Sequence, residues 1–352
     1  MVKFWSYKKE YSNNRKSILK LIDRSLSSGT TFFGKNLMSF EKNFLKKYKS
    51  KYGSSVGSGT EAILVSLMAI GVKKNDEIIT AANTAIPTIS AIINSGARPV
   101  LVDVNPDDYL INTNLIVNKI TKKTKAIIPV HLYGQSANMN KIIQISKKYN
   151  LKIIEDCAQA QGAKFNGKYV GTFGDFGCFS FYPTKILGAY GDGGFVISKN
   201  KSMDKKIRRI RFYGIETVNK NHKFYNKYYA NEFGINSRMD EIQASILNYK
   251  LKNVDKYISR RRELAKIYKE KLDKSFYLPK ENYTNFHVYH LFTVFHKKSK
   301  KIIKELDKIN IGTRKIYPFP ISEMKAFNEY VTPRLPQMQQ QQWPRQLAVA
   351  AC

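Results

Sequence analysis

Cysteine is scarce in this chain of 352 residues. Three cysteines occur, Cys157, Cys178 and Cys352, and no two of them form a CxxC pair. Disulfide frameworks and structural zinc sites both depend on paired cysteines, so this spacing argues against either. The same scarcity is typical of a reducing compartment. We therefore expect a cytoplasmic protein without a metal site.

Long hydrophobic runs are also missing. No run of 18 or more apolar residues occurs, and the first segment, MVKFWSYKKEYSNNRKS, lacks an apolar core of signal-peptide length. A membrane-spanning helix needs about 20 apolar residues in succession. The sequence therefore predicts neither a membrane span nor a secretory signal.

Acidic residues are few relative to basic ones. The 27 Asp and Glu residues face 60 Lys and Arg residues, which leaves a formal net charge of +33. Such a charge would suit an acidic partner such as nucleic acid, a membrane surface or a polyanion. The lysine pairs are, however, scattered along the chain, whereas nucleic-acid interfaces gather them on one face. We favour a compositional origin for the charge and do not expect nucleic acid as a partner.

Short apolar segments alternate with helical ones through the first 240 residues. Strand-like segments occur near Val56 and over 77–80, 99–104, 125–130, 151–155, 178–181 and 194–197. This alternation is typical of βαβ units. We predict an α/β fold in which residues 1–240 form a large domain with a mostly parallel, seven-stranded sheet covered by helices.

The pattern changes after about residue 240. A long helical stretch over 242–272 precedes a strand at 289–295 and a helix at 300–310. We assign 241–330 to a smaller α+β C-terminal domain. The final segment, 331–352, is rich in Gln and contains no lysine. It is either a disordered tail or foreign to the original reading frame, and we assign it no function.

The segment from Glu155 to Gly194 carries the clearest chemistry. Asp156 ends a predicted strand, and open α/β sheets bind ligands at the carboxyl ends of their strands. Lys185 lies in SFYPTKILGAYGDGG, among apolar residues and glycines. Partial burial there would lower the pKa of its amine and make it nucleophilic. A lysine that forms a Schiff base and a carboxylate that keeps a pyridine nitrogen protonated are the two groups that pyridoxal phosphate requires.

The tripeptide Ser58-Gly59-Thr60 lies between a predicted strand and a predicted helix. The first amides of a helix bind anions, although a plain helix cap is the commoner meaning of such a tripeptide. Ser180, five residues before Lys185, could reach the same phosphate.

These segments resemble a known family, the pyridoxal phosphate-dependent sugar aminotransferases of the DegT/DnrJ/EryC1/StrS type, which have fold type I, the aspartate aminotransferase-like fold. The similarity runs in the family's order through most of residues 1–330. The matching segments are SGTEA, NTAIPTISAIINSGARPVLVDV, PVHLYGQ, EDCAQAQGA, GTFGDFGCFSFYPTKILGAYGDGG, FGINSRMDEIQASIL and IGTRKIYPFP.

The resemblance implies a role for each matching residue. Lys185 would form the Schiff base and then move a proton, and Asp156 would pair with the pyridine nitrogen. Gln159 would bond the 3′ oxygen of the cofactor. The phosphate would be bound by Gly59, Thr60, Ser180 and, from the neighbouring subunit of a homodimer, Asn236. Substrate contacts would come from His131, Tyr133, Arg238 and Tyr317.

The resemblance also implies a reaction. Glutamate would donate its amino group, through pyridoxamine phosphate, to a nucleotide-linked keto-6-deoxy sugar, giving an amino sugar for polysaccharide or O-antigen. The FYPTK and GDGG segments are similar to those of members that act on 3-keto sugars, so we favour a dTDP-3-keto-6-deoxyhexose. A UDP-linked 3-keto-2-acetamido sugar and a 4-keto sugar stay open. So does a catalytically defective, regulatory or nucleic-acid-binding protein on the same fold.

Two positions depart from the family pattern. Ala85, in NTAIPT, stands where many relatives carry an aromatic residue that stacks on the cofactor ring. Ser322 stands where relatives often carry a histidine after the Tyr-Pro pair. We expect the covering of the cofactor ring and the sugar contacts of the second loop to differ in this chain.

Overall fold

A computed structural model of the chain describes residues 2–216 and 229–331, and the backbone of 347–349. The described helices, in chain order, are α1 (Lys8–Ser27), α2 (Lys35–Tyr48), α3 (Gly59–Ala69), α4 (Ile86–Asn94), α5 (Thr113–Ile116), α6 (Met139–Tyr149), α7 (Lys201–Ile210), α8 (Glu241–Leu251), α9 (Val254–Lys271) and α10 (Ser299–Lys308). The described strands are β1 (Tyr52–Val56), β2 (Glu77–Ala81), β3 (Arg98–Val102), β4 (Thr124–Ile128), β5 (Lys152–Asp156), β6 (Lys164–Phe165), β7 (Lys168–Tyr169), β8 (Phe176–Ser180), β9 (Gly194–Ser198), β10 (Asn285–Phe286), β11 (Phe292–Val294), β12 (Thr313–Lys315) and β13 (Leu347–Val349).

A seven-stranded sheet occupies the centre of the molecule, in the order β1-β9-β8-β5-β4-β2-β3. The pairs β3-β2, β2-β4, β4-β5 and β5-β8 are parallel, and β9 runs antiparallel to both of its neighbours. The predicted α/β class and the mostly parallel seven-stranded sheet are confirmed. All seven predicted strand segments overlap strands of this sheet.

Both faces of the sheet are buried under helices. Adjacent residues of β5 separate to opposite faces, because side chains alternate along a strand. Ile154 packs in one cluster with Ile63 of α3, whereas Ile153 packs in another with Ile142 of α6. Continuous apolar strands of this kind are what a parallel sheet covered on two sides requires.

The helical stretch predicted over 242–272 is two helices instead of one. The chain breaks between α8 and α9 at Asn253, whose N–H donates to the carbonyl of Lys250. Asparagine is a weak helix former because its side chain competes for backbone groups. α8 packs Ala244 and Leu247 into the same hydrophobic cluster as Phe40 of α2. The division at residue 240 stays a prediction.

Two small antiparallel sheets accompany the large one. One has the order β10-β6-β7, and the other has the order β11-β13-β12. Apart from Val331 and the backbone of β13, the predicted tail 331–352 lies outside the described residues. Among the helices within 2–216 and 229–331, none combines the length and apolar character that crossing a bilayer needs.

Candidate active site

The carboxyl edge of the large sheet carries a cavity of about 280 Å³. β5 ends there at Asp156, β8 ends there at Ser180, and α3 begins there at Gly59. The predicted residues that line this cavity are Gly59, Thr60, Asp156, Gln159, Ser180 and Lys185. The fold thus brings together side chains that lie more than a hundred residues apart in the sequence.

The first turn of α3 forms one wall of the cavity. Ser58 caps the helix, because its hydroxyl accepts a hydrogen bond of 3.2 Å from the N–H of Glu61. A Cβ atom on Gly59 would lie 2.5 Å from Cβ of Ser180, so only glycine permits this approach. A Cβ atom on Gly194 would lie 2.2 Å from the carbonyl oxygen of Ser58. The glycines therefore let a helix start, with its unused amides, sit against the sheet edge as a place for an anion.

The carboxylate of Asp156 is held by two hydrogen bonds. Its Oδ2 accepts from the hydroxyl of Thr88 at 2.8 Å, and its Oδ1 accepts from the N–H of Ala158 at 3.0 Å. The residue is buried, with 5% of its surface exposed. An acidic side chain fixed in this way offers a directed acceptor to a cationic group in the cavity.

The amine of Lys185 lies in surroundings that disfavour its charged form. Burial lowers the pKa of this amine to about 8, and the opposing attraction of Asp156 offsets only part of that effect. At pH 7 roughly one Lys185 side chain in ten is then neutral, against roughly one in 3,000 for an ordinary lysine. The site therefore supplies a nucleophilic amine at physiological pH.

The lowered pKa of Lys185 predicts a pH profile for cofactor capture. A neutral amine is the reactive form, so the rate at which apo-protein captures pyridoxal phosphate should rise about tenfold per pH unit below pH 8 and level off above it. Stopped-flow absorbance between pH 6 and pH 10 measures this rate. A rate that keeps climbing to pH 10 would mean that the amine has an ordinary lysine pKa.

Gln159, which lines the cavity, is hydrogen-bonded to two tyrosines. Its Oε1 accepts from the N–H of Tyr133 at 3.0 Å, and its Nε2 donates to the hydroxyl of Tyr317 at 2.5 Å. The two tyrosine rings stack, with centroids 6.3 Å apart. Burial raises the pKa of the Tyr317 phenol. The hydrogen bond from Gln159 lowers this pKa and the charge of Asp156 raises it further, so the phenol stays protonated. Tyr133 and Tyr317 have φ of 58° and 47°, a left-handed conformation that is costly for tyrosine and common at functional sites.

His131 is not among the described residues that line the cavity, and its predicted substrate contact stays a prediction. Its side chain is fully buried, Nε2 lies 3.1 Å from Oε2 of Glu155, and Nδ1 accepts from the N–H of Ala137. Glu155 also accepts from the N–H groups of Gly171, Phe173 and Gly174 at 2.7 to 2.8 Å. The pair fastens the loop before β8 beneath the site.

Removing the Glu155 carboxylate is expected to destabilise the fold. Glu155→Ala would leave three backbone N–H groups and an imidazole buried without their acceptor, at a cost of about 3 kcal/mol or more. Urea denaturation followed by circular dichroism measures the change in unfolding free energy. Asp107→Ala, at a side chain that is 70% exposed, is the control and should stay within about 0.5 kcal/mol of the parent. Equal effects of the two substitutions would contradict the assigned role.

Asn236 and Arg238 lie outside the cavity of their own chain. Asn236 is exposed, and its backbone bridges that of Phe212. The guanidinium of Arg238 lies over the ring of Phe32, 4.4 Å from its centroid. The contribution of Asn236 to a neighbouring subunit's site and the substrate contact of Arg238 both stay predictions.

A second cavity of about 680 Å³ adjoins the first and shares Gln159 and Lys185 with it. The predicted Tyr317 also lines it, together with basic residues and a histidine that sequence reasoning missed, namely Lys3, Arg261, His290, Arg314 and Lys315. No motif links these segments in the sequence. The backbone bridge between Val2 and Ile311 brings the first of them to the site.

His290 is the most unusual member of that lining. Its Nδ1 is buried and has no hydrogen-bond partner among the described residues. Burial, together with the charges of Lys185 and Arg261, lowers the pKa of His290 well below its ordinary value. A neutral imidazole therefore faces the amine of Lys185.

The two positions that depart from the family pattern lie in different places. Ala85 lines the first cavity, as do Pro87 and Ala158. Tyr182 is the aromatic residue among the described lining side chains, and it is 53% exposed. Ser322 lies in a short turn of 3-10 helix over Ile321–Glu323 and lines neither cavity.

The fold and this site define a fold type I aminotransferase. The sequence profile of the DegT/DnrJ/EryC1/StrS aminotransferase family matches residues 12–346, and the chain belongs to this family. It is 40% identical to the dTDP-3-amino-3,4,6-trideoxy-alpha-D-glucose transaminase of Micromonospora megalomicea subsp. nigra over 330 residues, covering 92% of this chain and 86% of the relative.

Two further similarities extend the comparison. The dTDP-3-amino-3,6-dideoxy-alpha-D-galactopyranose transaminase of Aneurinibacillus thermoaerophilus is 40% identical over 331 residues, covering 94% of this chain and 89% of the relative. The crystal structure of S. venezuelae DesV in complex with ketimine intermediate superposes with a TM-score of 0.93 at 32% identity. That match covers 99% of this chain and 92% of the other. The predicted enzyme class, an aminotransferase, is confirmed.

Proposed function

We propose that this enzyme transfers the amino group of glutamate to C3 of a dTDP-linked 3-keto-6-deoxyhexose, with pyridoxal phosphate as cofactor. The products are 2-oxoglutarate and a dTDP-linked 3-amino sugar. One observation carries the proposal, namely that Lys185 lines both cavities. The first cavity contains the start of α3, and the second, which we call the basic chamber, is lined by Lys3, Arg314 and Lys315. A single amine is thereby accessible to a cofactor and to a substrate.

The residues of the first cavity fit pyridoxal phosphate. Because Gly59 has no side chain, the free amides at the start of α3 lie beside Ser180, where they would bind the phosphate and Thr60 would add a hydroxyl. Asp156 would face the pyridine nitrogen, and Gln159 would face the ring oxygen. Ala85 and Ala158 would leave the ring faces with small neighbours. When bound, the cofactor supplies an electron sink for the bonds at the amino-bearing carbon.

The protein's own groups then handle protons. Asp156, held by Thr88 and Ala158, would keep the ring nitrogen of the bound cofactor protonated. The neutral amine of Lys185 would move a proton between the amino-bearing carbon of the substrate and C4′ of the cofactor. The protonated phenol of Tyr317 fixes Gln159, so that the amide keeps one orientation.

The second cavity supports a nucleotide-linked sugar as the amino acceptor. Lys3, Arg314 and Lys315 line it, and none of its described lining residues is acidic. A diphosphate would gain charge-assisted hydrogen bonds there. The named activities of the relatives from M. megalomicea and A. thermoaerophilus support a dTDP-linked 3-keto sugar.

We further infer that the active unit is a cytoplasmic homodimer and that its product enters polysaccharide or lipopolysaccharide synthesis. The exposed position of Asn236 supports a contact with a second copy of the chain. The scarcity of cysteine supports a reducing compartment.

An activity panel tests the proposed reaction. Purified protein with pyridoxal phosphate and glutamate is incubated with dTDP-, UDP- and GDP-linked 3-keto and 4-keto sugars. We expect 2-oxoglutarate to accumulate together with the mass of a dTDP-linked 3-amino sugar. Turnover with a 4-keto or UDP-linked sugar instead would contradict the substrate, and no 2-oxoglutarate with any of them would contradict the reaction.

A further inference from the structure

A third cavity, of about 640 Å³, lies at the opposite edge of the large sheet from the active site. Its wall includes Tyr52, which begins β1, and Ser198, which ends the antiparallel strand β9. Both positions belong to the amino edge of the parallel strands, whereas Asp156 and Ser180 mark the carboxyl edge. The five residues of β8 separate the two edges by about 13 Å. This cavity is therefore separate from the active site.

The cavity wall is strongly cationic. Its five lysines are Lys49, Lys51, Lys164, Lys168 and Lys199, and no acidic residue occurs among its described lining residues. The carboxylate of Asp175 lies nearby, 3.9 Å from the amine of Lys199 and 3.8 Å from that of Lys152. One carboxylate thus faces more amines than it can neutralise. A concave wall of one charge sign concentrates the field inside the cleft and attracts anions.

Aromatic rings lie beside these lysines. The amine of Lys164 lies 4.8 Å from the ring centroid of Tyr169, and that of Lys168 lies 4.7 Å from the ring centroid of Phe173. Both rings line the cavity and are partly exposed. Each can offer a flat face to a planar group of a ligand, and the adjacent amine can bind an anionic group.

From this combination we infer that the amino-edge cavity is a second anion site, built for a nucleoside di- or triphosphate. The lysines bind the phosphates, and the Tyr169 and Phe173 rings accept the base. Its volume of about 640 Å³ holds a whole nucleotide, and its concave form distinguishes it from a flat nucleic-acid surface. Such a site would give a function to lysines that the reaction at Lys185 does not require.

Isothermal titration of the cofactor-loaded enzyme tests this site. ATP, pyrophosphate and adenosine are titrated in turn at 0.15 M salt. We expect ATP to bind more tightly than pyrophosphate, and adenosine to bind weakly or not at all. Lys51→Gln/Lys168→Gln/Lys199→Gln should weaken ATP binding at least tenfold. Half-transamination with glutamate should be unchanged in this triple variant, which separates the site from the proposed reaction.

A charge-matched variant is the control. Lys300→Gln/Lys301→Gln/Lys304→Gln removes the same three charges from exposed positions of α10 and should leave ATP binding unchanged. Equal losses in the two triple variants would show a diffuse charge effect and overturn the site. Absence of ATP binding at millimolar concentration would overturn it as well. A single-stranded oligonucleotide that binds through the same lysines, without competition from ATP, would identify a nucleic-acid surface instead.

Discussion

Lys185→Ala is expected to abolish aminotransferase turnover, with kcat falling by about three orders of magnitude or more. Among the described residues, Lys185 is the lysine that lines both the 280 Å³ cavity and the basic chamber. Its lowered pKa, about 8, makes it the reactive base near neutral pH. No other described lysine lines the 280 Å³ cavity, so its loss leaves no local substitute. The rate of 2-oxoglutarate formation from glutamate measures the effect.

A second readout separates lost chemistry from lost folding. Borohydride reduction should attach pyridoxal phosphate covalently to the parent protein at Lys185 and leave the alanine variant unmodified, as judged by peptide mass spectrometry. Circular dichroism should show the same folded state for both. Lys252→Ala, at an exposed position between α8 and α9, is the control and should retain parent activity and labelling. Labelling of the Lys185→Ala protein at another lysine would contradict the assignment of Lys185 as the Schiff-base lysine.

The two central residues of the site could be predicted because their positions along the strands are visible in the sequence. The apolar run before Asp156 marks β5, and the run from Cys178 to Phe181 marks β8. In a parallel sheet the ends of both strands meet at one edge, so the two segments had to converge. The antiparallel strand β9 does not change this convergence. It comes after the loop that carries Lys185 and pairs with β8.

Side-chain direction could not be predicted in the same way. His131 and Tyr133 are two residues apart after β4, yet the His131 imidazole contacts Glu155 whereas the Tyr133 ring stacks on Tyr317. The left-handed φ of Tyr133 turns the chain there, and the carboxylate of Glu155 holds the imidazole below. Neither effect has a signal in residue spacing, because both depend on contacts between separate segments.

The basic chamber shows the same limit for residues brought from afar. Lys3, Arg261 and Arg314 come from an N-terminal segment, α9 and β12. Each is an ordinary basic residue in a chain with 60 of them, so composition could not single them out. Their convergence depends on tertiary packing, including the bridge of Val2 to Ile311.

Asp156→Asn is expected to lower kcat by about two to three orders of magnitude while leaving the fold intact. Asparagine has nearly the same shape, so its carbonyl oxygen can still accept from Ala158 or Thr88. What it lacks is the negative charge, which is needed to keep a facing pyridine nitrogen protonated. Steady-state kinetics with glutamate measure the loss, and the pH dependence of the bound cofactor's absorbance reports the changed charge directly. Asp255→Asn, at a side chain that is 78% exposed, removes the same charge elsewhere and should change kcat less than twofold.

Thr88→Val separates the charge of Asp156 from its orientation. This change removes the hydroxyl that donates to Oδ2 and keeps the carboxylate, so kcat should fall only about tenfold. The absorbance profile should then resemble the parent's, whereas that of Asp156→Asn should not. If both variants lost activity to the same extent with the same profile, orientation alone would account for the role of Asp156. If Asp156→Asn stayed within tenfold of the parent, the carboxylate would not be supporting the cofactor. We expect kcat to depend more on the charge of Asp156 than on its hydrogen bond from Thr88. The cofactor needs a protonated ring nitrogen throughout turnover in order to accept electrons. In Thr88→Val the carboxylate keeps its charge and is still held by the backbone N–H of Ala158.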